Sequence, residues 1–242
     1  MTPLAAPTTT ILVTIDEKTY SADPGETILD VCKREGINIP TLCFLEGVST
    51  VGACRLCLIE IEGTRKLLPA CATVVAPFQK VKTNSDRLKK NRRMTLELLF
   101  SERNHICSVC VANYNCRLQD LAHEVGMDHV RFPYLFPDCN VDGTNKIYNI
   151  DHNRCIMCTK CVRTCDEVEG AHTWDVRGRG FESRIIADFD EAWGTSPTCT
   201  LCGKCVSVCP TGALWHKQSV QNNMKKSPEM VSELTAKRGR KG

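Results

Sequence analysis

Apolar and polar positions change their rhythm several times along the chain. Thr10-Ile11-Leu12-Val13-Thr14-Ile15 is a β-branched, apolar run that predicts a strand, and Asp23-Pro24-Gly25-Glu26 carries turn chemistry. Over residues 27–35 the apolar side chains Ile28, Leu29, Val31 and Cys32 fall on one side of a short helix that Gly36 ends. Leu58-Ile59-Glu60-Ile61-Glu62 alternates apolar with acidic residues, so 56–62 is expected as a half-buried strand. Residues 10–80 therefore predict a small β-rich domain. A helix is expected over 85–102, with Leu88, Leu96, Leu98 and Leu99 as its apolar members, and a shorter one over 118–125 ending at Gly126. Pro, Asn, Asp and Gly crowd residues 132–149, which read as an irregular connection. Residues 150–216 predict another compact unit, followed by a polar tail.

Composition changes this picture. Of 242 residues, 17 are cysteine and only 6% are aromatic, so the chain leans on thiol chemistry as well as packing. Met1-Thr2-Pro3-Leu4-Ala5-Ala6-Pro7 has no basic start, and Ile11-Leu12-Val13 is too short for the apolar core of a signal peptide. No apolar run approaches the ~20 residues of a membrane span. The expectation is a cytoplasmic protein, not an integral membrane protein, whose thiols stay reduced. The odd cysteine number also disfavours a disulfide framework, and dense cysteine then reads as metal ligation. The net charge is +3, and residues 217–242 hold seven basic residues against two acidic ones. Lys237-Arg238-Gly239-Arg240-Lys241 reads as a solvated, flexible end. With no aromatic platform or nucleic-acid motif beside it, no nucleic-acid partner is expected.

The cysteines form four groups. Cys43, Cys54, Cys57 and Cys71 combine one CxxC pair with two single thiols. Soft thiolate suits iron–sulfur clusters and zinc alike. A zinc ribbon favours two CxxC pairs, however, and this spacing resembles the plant-type [2Fe–2S] arrangement. The loop that holds Gly47 and Gly52 can wrap closely around a compact inorganic object. Cys155, Cys158, Cys161 and Cys165 are spaced x2-x2-x3, and the spacing recurs at Cys199, Cys202, Cys205 and Cys209. Pro210 follows the second run, and Asp166 stands in that place after the first. This matches the run of two-cluster bacterial ferredoxins, in which the fourth cysteine of each run serves the other cluster. One [4Fe–4S] set is then Cys155, Cys158, Cys161 and Cys209, and the other is Cys165, Cys199, Cys202 and Cys205. Two zinc sites from these eight thiols are the alternative.

The middle group, Cys107, Cys110 and Cys116, is one ligand short of a cubane cluster. His105, two residues upstream, completes it, since imidazole is an accepted iron ligand. Cys139 in the irregular segment is the substitute should His105 not serve. His123, His129, His152, His172 and His216 read as surface or supporting groups, and Cys32 as core packing.

The stretches IPTLCFLEGVSTVGACRLCLIEIEGTRKLLPAC, RRMTLELLFSERNHICSVCVANYNCRLQDLA, GMDHVRF, IDHNRCIMCTKCVRTCDEVEGAHTWDV and WGTSPTCTLCGKCVSVCPTG carry a family resemblance. In order and spacing they are similar to the N-terminal part of the NADH dehydrogenase large iron–sulfur subunit and to the accessory domains of iron-only hydrogenases. Above all they resemble the small iron–sulfur diaphorase subunits (U subunits) of bidirectional NAD-linked nickel–iron hydrogenases of cyanobacterial type. The first two families continue for hundreds of residues into a further domain. They also carry the histidine four residues before the first cysteine of the middle group, where Arg103 stands here. His105 resembles the nickel–iron diaphorase pattern instead.

The resemblance implies an α+β fold. It begins with a plant-type [2Fe–2S] ferredoxin-like domain (8–82). A small helical [4Fe–4S] domain with one histidine and three cysteine ligands, together with an irregular linker, follows over 83–149. A two-[4Fe–4S] bacterial ferredoxin-like domain (150–216) and a basic, flexible tail (217–242) complete it. One [2Fe–2S] and three [4Fe–4S] clusters are expected. No GxGxxG or GxxxxGK motif is present, nor the paired CxxC motifs of nickel–iron catalytic subunits, so no substrate site of its own is expected. The implied role is to relay single electrons between a flavin- and NAD-binding diaphorase subunit and a hydrogenase. The hydrogenase would consist of a small iron–sulfur subunit and a nickel–iron large subunit, and external ferredoxin is a further candidate partner. The same relay in a complex of NADH dehydrogenase or formate dehydrogenase type is the alternative. A zinc-stapled binding module is the reading from a different class.

Overall fold

The computed structural model describes residues 10–219, 224 and 226–238. They group into two compact units, one formed by residues up to 41 and 51–95, the other by residues 42–50 and those from 96 onward. The architecture is α+β. In the first unit β1 (Ile11–Ile15) and β2 (Lys18–Ala22) make an antiparallel hairpin turned at Asp16 and Glu17. Helix α1 (Ile28–Arg34) begins with a capping box, in which Thr27 and Asp30 each accept from the other's backbone N–H. Such a cap contributes about 1 kcal/mol. The apolar face predicted for it, Ile28, Leu29, Val31 and Cys32, is buried. Strands β3 (Leu58–Ile61), β4 (Leu68–Pro69) and β5 (Lys80–Lys82) complete a five-stranded sheet in the order β2-β1-β5-β3-β4. Only the β1–β5 pair is parallel.

Helix α2 (Asp86–Glu102) bears out the expected element but not all of its inward face. Leu88, Arg92 and Leu96, spaced four apart, are buried, whereas Leu98 is 46% exposed. Two residues beyond Leu96 lie on the far side of a helix, so Leu98 cannot share its stripe. The buried Arg92 guanidinium donates to the carbonyls of Leu56 (3.2 Å), Leu58 (3.1 Å) and Thr83 (2.7 Å). It thereby ties the helix to both β3 and the strand end after β5.

The second unit contains α3 (Arg117–Glu124) and an antiparallel sheet of β6 (Val141–Asp142), β7 (Tyr148–Asp151) and β10 (Leu214–His216), ordered β10-β7-β6. The expected irregular connection thus holds β6 and the start of β7. Helix α4 (Lys160–Arg163) runs on as a π-helical turn, Thr164–Glu169, and leads to the hairpin of β8 (Trp174–Arg177) and β9 (Arg184–Ala187). Helix α5 (Lys204–Val208) then precedes β10. Ile150, Trp174, Ile185, Trp193, Val206 and Leu214 form a core together with Cys161, Cys165, Cys205 and Cys209.

The segment expected as a flexible tail contains helix α6 (Glu229–Arg238). Its Val231 is fully buried against Leu45, Val168 and Val208. Leu234 packs partly buried against the same cluster, and two apolar anchors in a polar stretch are too few to register in composition. The basic residues 240 and 241 lie outside the described residues. Among the described residues no helix is long and apolar enough to cross a membrane.

Candidate metal centres

The two x2-x2-x3 runs share a backbone device. Met157 and Thr159 in the first run, and Leu201 and Gly203 in the second, have positive φ (51°, 55°, 60° and 71°). Each left-handed residue reverses the side-chain direction, so cysteines three apart turn towards a common centre. For the three non-glycine residues this conformation costs on the order of 1 kcal/mol each. Helices α4 and α5 start directly after Thr159 and Gly203. After Cys165 the helix continues through Asp166, where a proline would break it. In the second run α5 ends at Val208 and Cys209 is already extended; the carbonyl of the following Pro210 accepts from the Arg117 N–H at 2.9 Å.

As a result the fourth cysteine of each run faces away from its own three. Cys155, Cys158 and Cys161 line one cavity with Cys209, walled by Ile150, Ile156, Ile185 and Leu214. Cys199, Cys202 and Cys205 line another with Cys165, walled by Tyr148, Trp174 and Trp193. In the second cavity the Trp193 indole N–H donates to Cys199 Sγ at 3.2 Å. Trp193 itself is held edge-on to Trp174 (4.7 Å between ring centres) and stacked on Tyr148 (5.7 Å). Gly203 leaves room for that tyrosine, since a Cβ there would sit 2.5 Å from its hydroxyl.

Burial, and next the neighbouring thiolates, push Cys155 up to about 12 and Cys158 up to about 11. Burial pushes Cys205 up to about 12 and raises Cys161 well above the thiol range. Thiols this reluctant to ionise become thiolates when a metal replaces the proton. Cys209 differs. Burial raises it, but the Lys226 ammonium and backbone hydrogen bonds at Thr211 and Leu214 outweigh burial and hold it below the usual value. Lys226 donates to the carbonyls of both Cys209 and Thr211.

His105, Cys107, Cys110 and Cys116 line a third cavity, with Phe100, Leu118, Arg154 and Gly212. His105 Nε2 is buried and has no hydrogen-bond partner. Burial, then the Arg154 and Arg103 charges, lower this imidazole to about 4, against a hydrogen bond at the Leu99 backbone. A neutral ring held on one side and lacking a partner at a buried nitrogen has the character of a metal ligand. Gly212 closes the wall so tightly that a Cβ would clash with Cys110 Sγ. Thr211 lines both this cavity and the Cys155 cavity, and its hydroxyl donates to the Arg154 carbonyl at 2.7 Å.

Cys139 is placed elsewhere. Arg103 Nη1 donates to its sulfur at 3.0 Å, and both residues line a separate, open cavity with His152 and Arg184. Cys32 is core, pushed up to about 12 by burial and by Asp16. His172 pairs with Asp166 (2.6 Å) and His129 with Asp128 (2.9 Å).

In the first unit the Cys57 and Cys71 sulfurs are 3.4 Å apart, and the hydrogen bond between them lowers Cys57. Arg55, between Cys54 and Cys57, again has positive φ (54°). Cys43 lies on the 42–50 segment and groups with the second unit. Its carbonyl accepts from Arg163 at 2.6 Å.

Among the described residues no three His, Cys, Asp or Glu groups close around a single metal ion. In the second unit the predicted ligands ring three cavities instead, and a donor set of thiolates with one imidazole suits iron–sulfur clusters. Cysteine spacing points to the ring members but not to Trp193, Lys226, Arg154 or Arg163. Their only sequence signal is closeness to a cysteine, and Trp193 and Lys226 lack even that.

Three family models match the chain in succession. They are a 2Fe-2S iron-sulfur cluster binding domain over residues 8–86, the NADH-ubiquinone oxidoreductase-G iron-sulfur binding region over 92–131, and the NADH-quinone oxidoreductase subunit 3 ferredoxin-like domain over 146–215. One relative is an NADH-quinone oxidoreductase chain of Rhizobium meliloti, 37% identical over 84% of this chain, which spans only 24% of that relative. The gamma chain of NAD-reducing hydrogenase HoxS of Cupriavidus necator is 35% identical over 86% of this chain and 88% of its own length. The crystal structure of an NAD+-reducing [NiFe]-hydrogenase in the H2-reduced state contains a similar chain. The TM-score is 0.81 at 33% identity, covering 88% of this chain and 90% of that one.

Proposed function

The chain belongs to the family of the NAD-reducing hydrogenase HoxS gamma chain, and from that premise we propose that it is the electron-relay subunit of an NAD-linked hydrogenase. It relays single electrons between an NAD(H)-oxidising flavoprotein subunit and a [NiFe]-hydrogenase module, in reversible oxidoreduction of H2 and NAD(P)+. It has no substrate site of its own. Its partners are the flavin- and NAD-binding diaphorase subunit, the hydrogenase small iron–sulfur subunit and the nickel–iron large subunit.

The observation that carries this reading is the set of three cavities in the second unit, each ringed by four side chains of iron-ligating type. One [4Fe–4S] cluster is assigned to His105, Cys107, Cys110 and Cys116, one to Cys155, Cys158, Cys161 and Cys209, and one to Cys165, Cys199, Cys202 and Cys205. The [2Fe–2S] cluster is assigned to Cys43, Cys54, Cys57 and Cys71. Bound there, such clusters supply one-electron redox chemistry. The chain's own contribution is to exclude water with the Ile150, Ile185 and Trp174 walls, to donate hydrogen bonds to sulfur from Trp193, and to place the cations Arg154 and Lys226 beside the thiolates.

Anaerobic metal analysis of the purified chain tests the assignment. It should return roughly 14 iron atoms per chain and no stoichiometric zinc, with broad absorption near 400 nm. A colourless zinc protein would overturn it. The relative from Rhizobium meliloti keeps a second reading open, the same relay in a complex of NADH dehydrogenase type. Co-purification with a nickel-containing subunit supports the first reading, and co-purification with a nickel-free quinone-reducing assembly supports the second.

A further inference from the structure

Arg163 is 6% exposed, and its guanidinium donates to three backbone carbonyls. These belong to Ser49 (2.5 Å), Cys43 (2.6 Å) and Cys158 (3.1 Å). Its Nε reaches the Thr159 hydroxyl at 3.4 Å. None of these acceptors is a carboxylate. Carbonyl oxygens satisfy N–H groups but leave the charge, and a guanidinium does not escape the penalty of burial by losing its proton. A buried, permanently charged group held only by dipoles calls for a nearby anion. The acceptors indicate where that anion sits, since two of the three are the carbonyls of Cys43 and Cys158, residues from two different proposed ligand sets. A cluster bound by four thiolates is net negative in both oxidation states of its one-electron couple, and each such cluster must lie within one bond of its cysteine sulfur.

The 42–50 segment is independently fastened to the same unit. Glu167 accepts from the Ser49 backbone N–H at 2.7 Å and from its hydroxyl at 2.5 Å, and Leu45 packs with Val168, Val208 and Val231. Cys43 is therefore held in place by more than Arg163, and the contribution of the arginine charge can be separated from that of the clamp.

We propose that Arg163 is a positioning residue and shared counter-cation for the clusters ligated by Cys43 and by Cys158. It raises the reduction potential of both while fixing the backbone of one ligand of each. This rests on the ligand assignment given above. Adding an electron adds negative charge, which a fixed cation beside the cluster favours. One side chain then sets the potentials of two carriers together, and any change at Arg163 moves them in the same direction.

The test is a redox titration of the full-length, cluster-loaded chain followed by electron paramagnetic resonance. In Arg163→Gln both the [2Fe–2S] signal and the Cys155-set signal should shift to more negative midpoint potential. The signal of the Cys165 set should stay in place. Arg163→Lys, which keeps the charge, should restore most of the shift. Glu167→Gln, which loosens Ser49 and removes a negative charge but keeps Arg163, should lower neither midpoint. Unshifted midpoints in Arg163→Gln, or an equal shift in Glu167→Gln, would overturn the proposal. Should Arg163→Gln assemble no clusters, the lysine variant decides, because midpoints close to wild type support the charge role and midpoints far below it do not. Cys43→Ala and Cys158→Ala report separately on the ligand assignment. If either retains full iron content, that assignment fails, whatever Arg163 does.

Discussion

Trp193 donates its indole N–H to the sulfur of Cys199 at 3.2 Å, from a side chain that is 1% exposed. A donor to a ligating sulfur withdraws electron density and stabilises the reduced cluster, so under the proposed assignment the potential of the Cys165 set should depend on this contact. Trp193→Phe keeps most of the packing on Trp174 and Tyr148 while removing the donor. The expected result is a midpoint lowered by roughly 1 kcal/mol, or ~40 mV for one electron, in that cluster alone. Redox titration of the variant checks it, and an unchanged midpoint would mean that the indole acts only as packing.

Gly212 offers a way to disturb the middle site without touching a ligand. A Cβ at this position meets Cys110 Sγ, with Ala112 Cβ at 3.2 Å and Arg154 Cδ at 3.3 Å behind it. Gly212→Ala should therefore displace the Cys110 thiol, costing about 1–3 kcal/mol in overpacking. Iron content should fall by about four atoms per chain while the remaining signals persist. Full iron content in the variant would mean that the wall yields without moving the thiol.

The pH response of the middle site follows from His105. Burial, then Arg154 and Arg103, hold its imidazole at about 4, against 6.5 for an ordinary histidine. With the folded value below the unfolded one, the stabilising contribution is complete above pH 6.5 and is lost as pH falls through about 4. After allowance for partial exposure it is on the order of 2 kcal/mol. Denaturant unfolding of the cluster-free chain should therefore become easier as pH falls from about 6.5 to about 4. Stability that does not change over that range would contradict a buried, neutral His105. His105→Ala should abolish the spectroscopic signal of the middle cluster, and an untouched spectrum would contradict His105 as a ligand.

In the first unit the Arg92 guanidinium donates to the carbonyls of Leu56, Leu58 and Thr83. Arg92→Met keeps the stem and strands those acceptors, each in a buried or half-buried setting. About 3 kcal/mol of stability should be lost. Denaturant unfolding of the loaded chain, followed by visible absorption of the [2Fe–2S] site, should show the midpoint falling ahead of the loss of the other clusters. A change within error would place those carbonyls in contact with water.

Much of this was legible in the chain itself, for reasons that can be named. Cysteine spacing is local, and the crossed membership of Cys165 and Cys209 follows from a helix beginning close to each third cysteine. Both cavities have that membership. The strand at 11–15 and the helix at 28–34 follow from a β-branched run and a one-sided apolar pattern ended by glycine. What could not be read is long-range. Arg163 meets Cys43 across 120 positions, and no period or motif encodes that meeting. Arg92 and Glu97 look like surface residues of a charged helix, yet they are 6% and 0% exposed, because specific partners await them. Leu98 looks apolar and inward, yet faces out, because helical geometry overrides composition. Helix α6 escaped because its apolar anchors, Val231 and the partly buried Leu234, are few among polar neighbours.

The exchange of fourth cysteines between the two runs has a consequence for biosynthesis. The thiol ring that begins at Cys155 is incomplete until Cys209 has emerged from the ribosome, whereas the ring begun by Cys165 is complete four residues earlier, at Cys205. Neither centre can be finished on a nascent chain that ends before α5, and the order of completion is the reverse of the order of synthesis. A chain truncated between Cys205 and Cys209 would hold every thiol of the later ring and lack the last thiol of the earlier one, separating by one cut two rings that the folded protein builds from each other's ends.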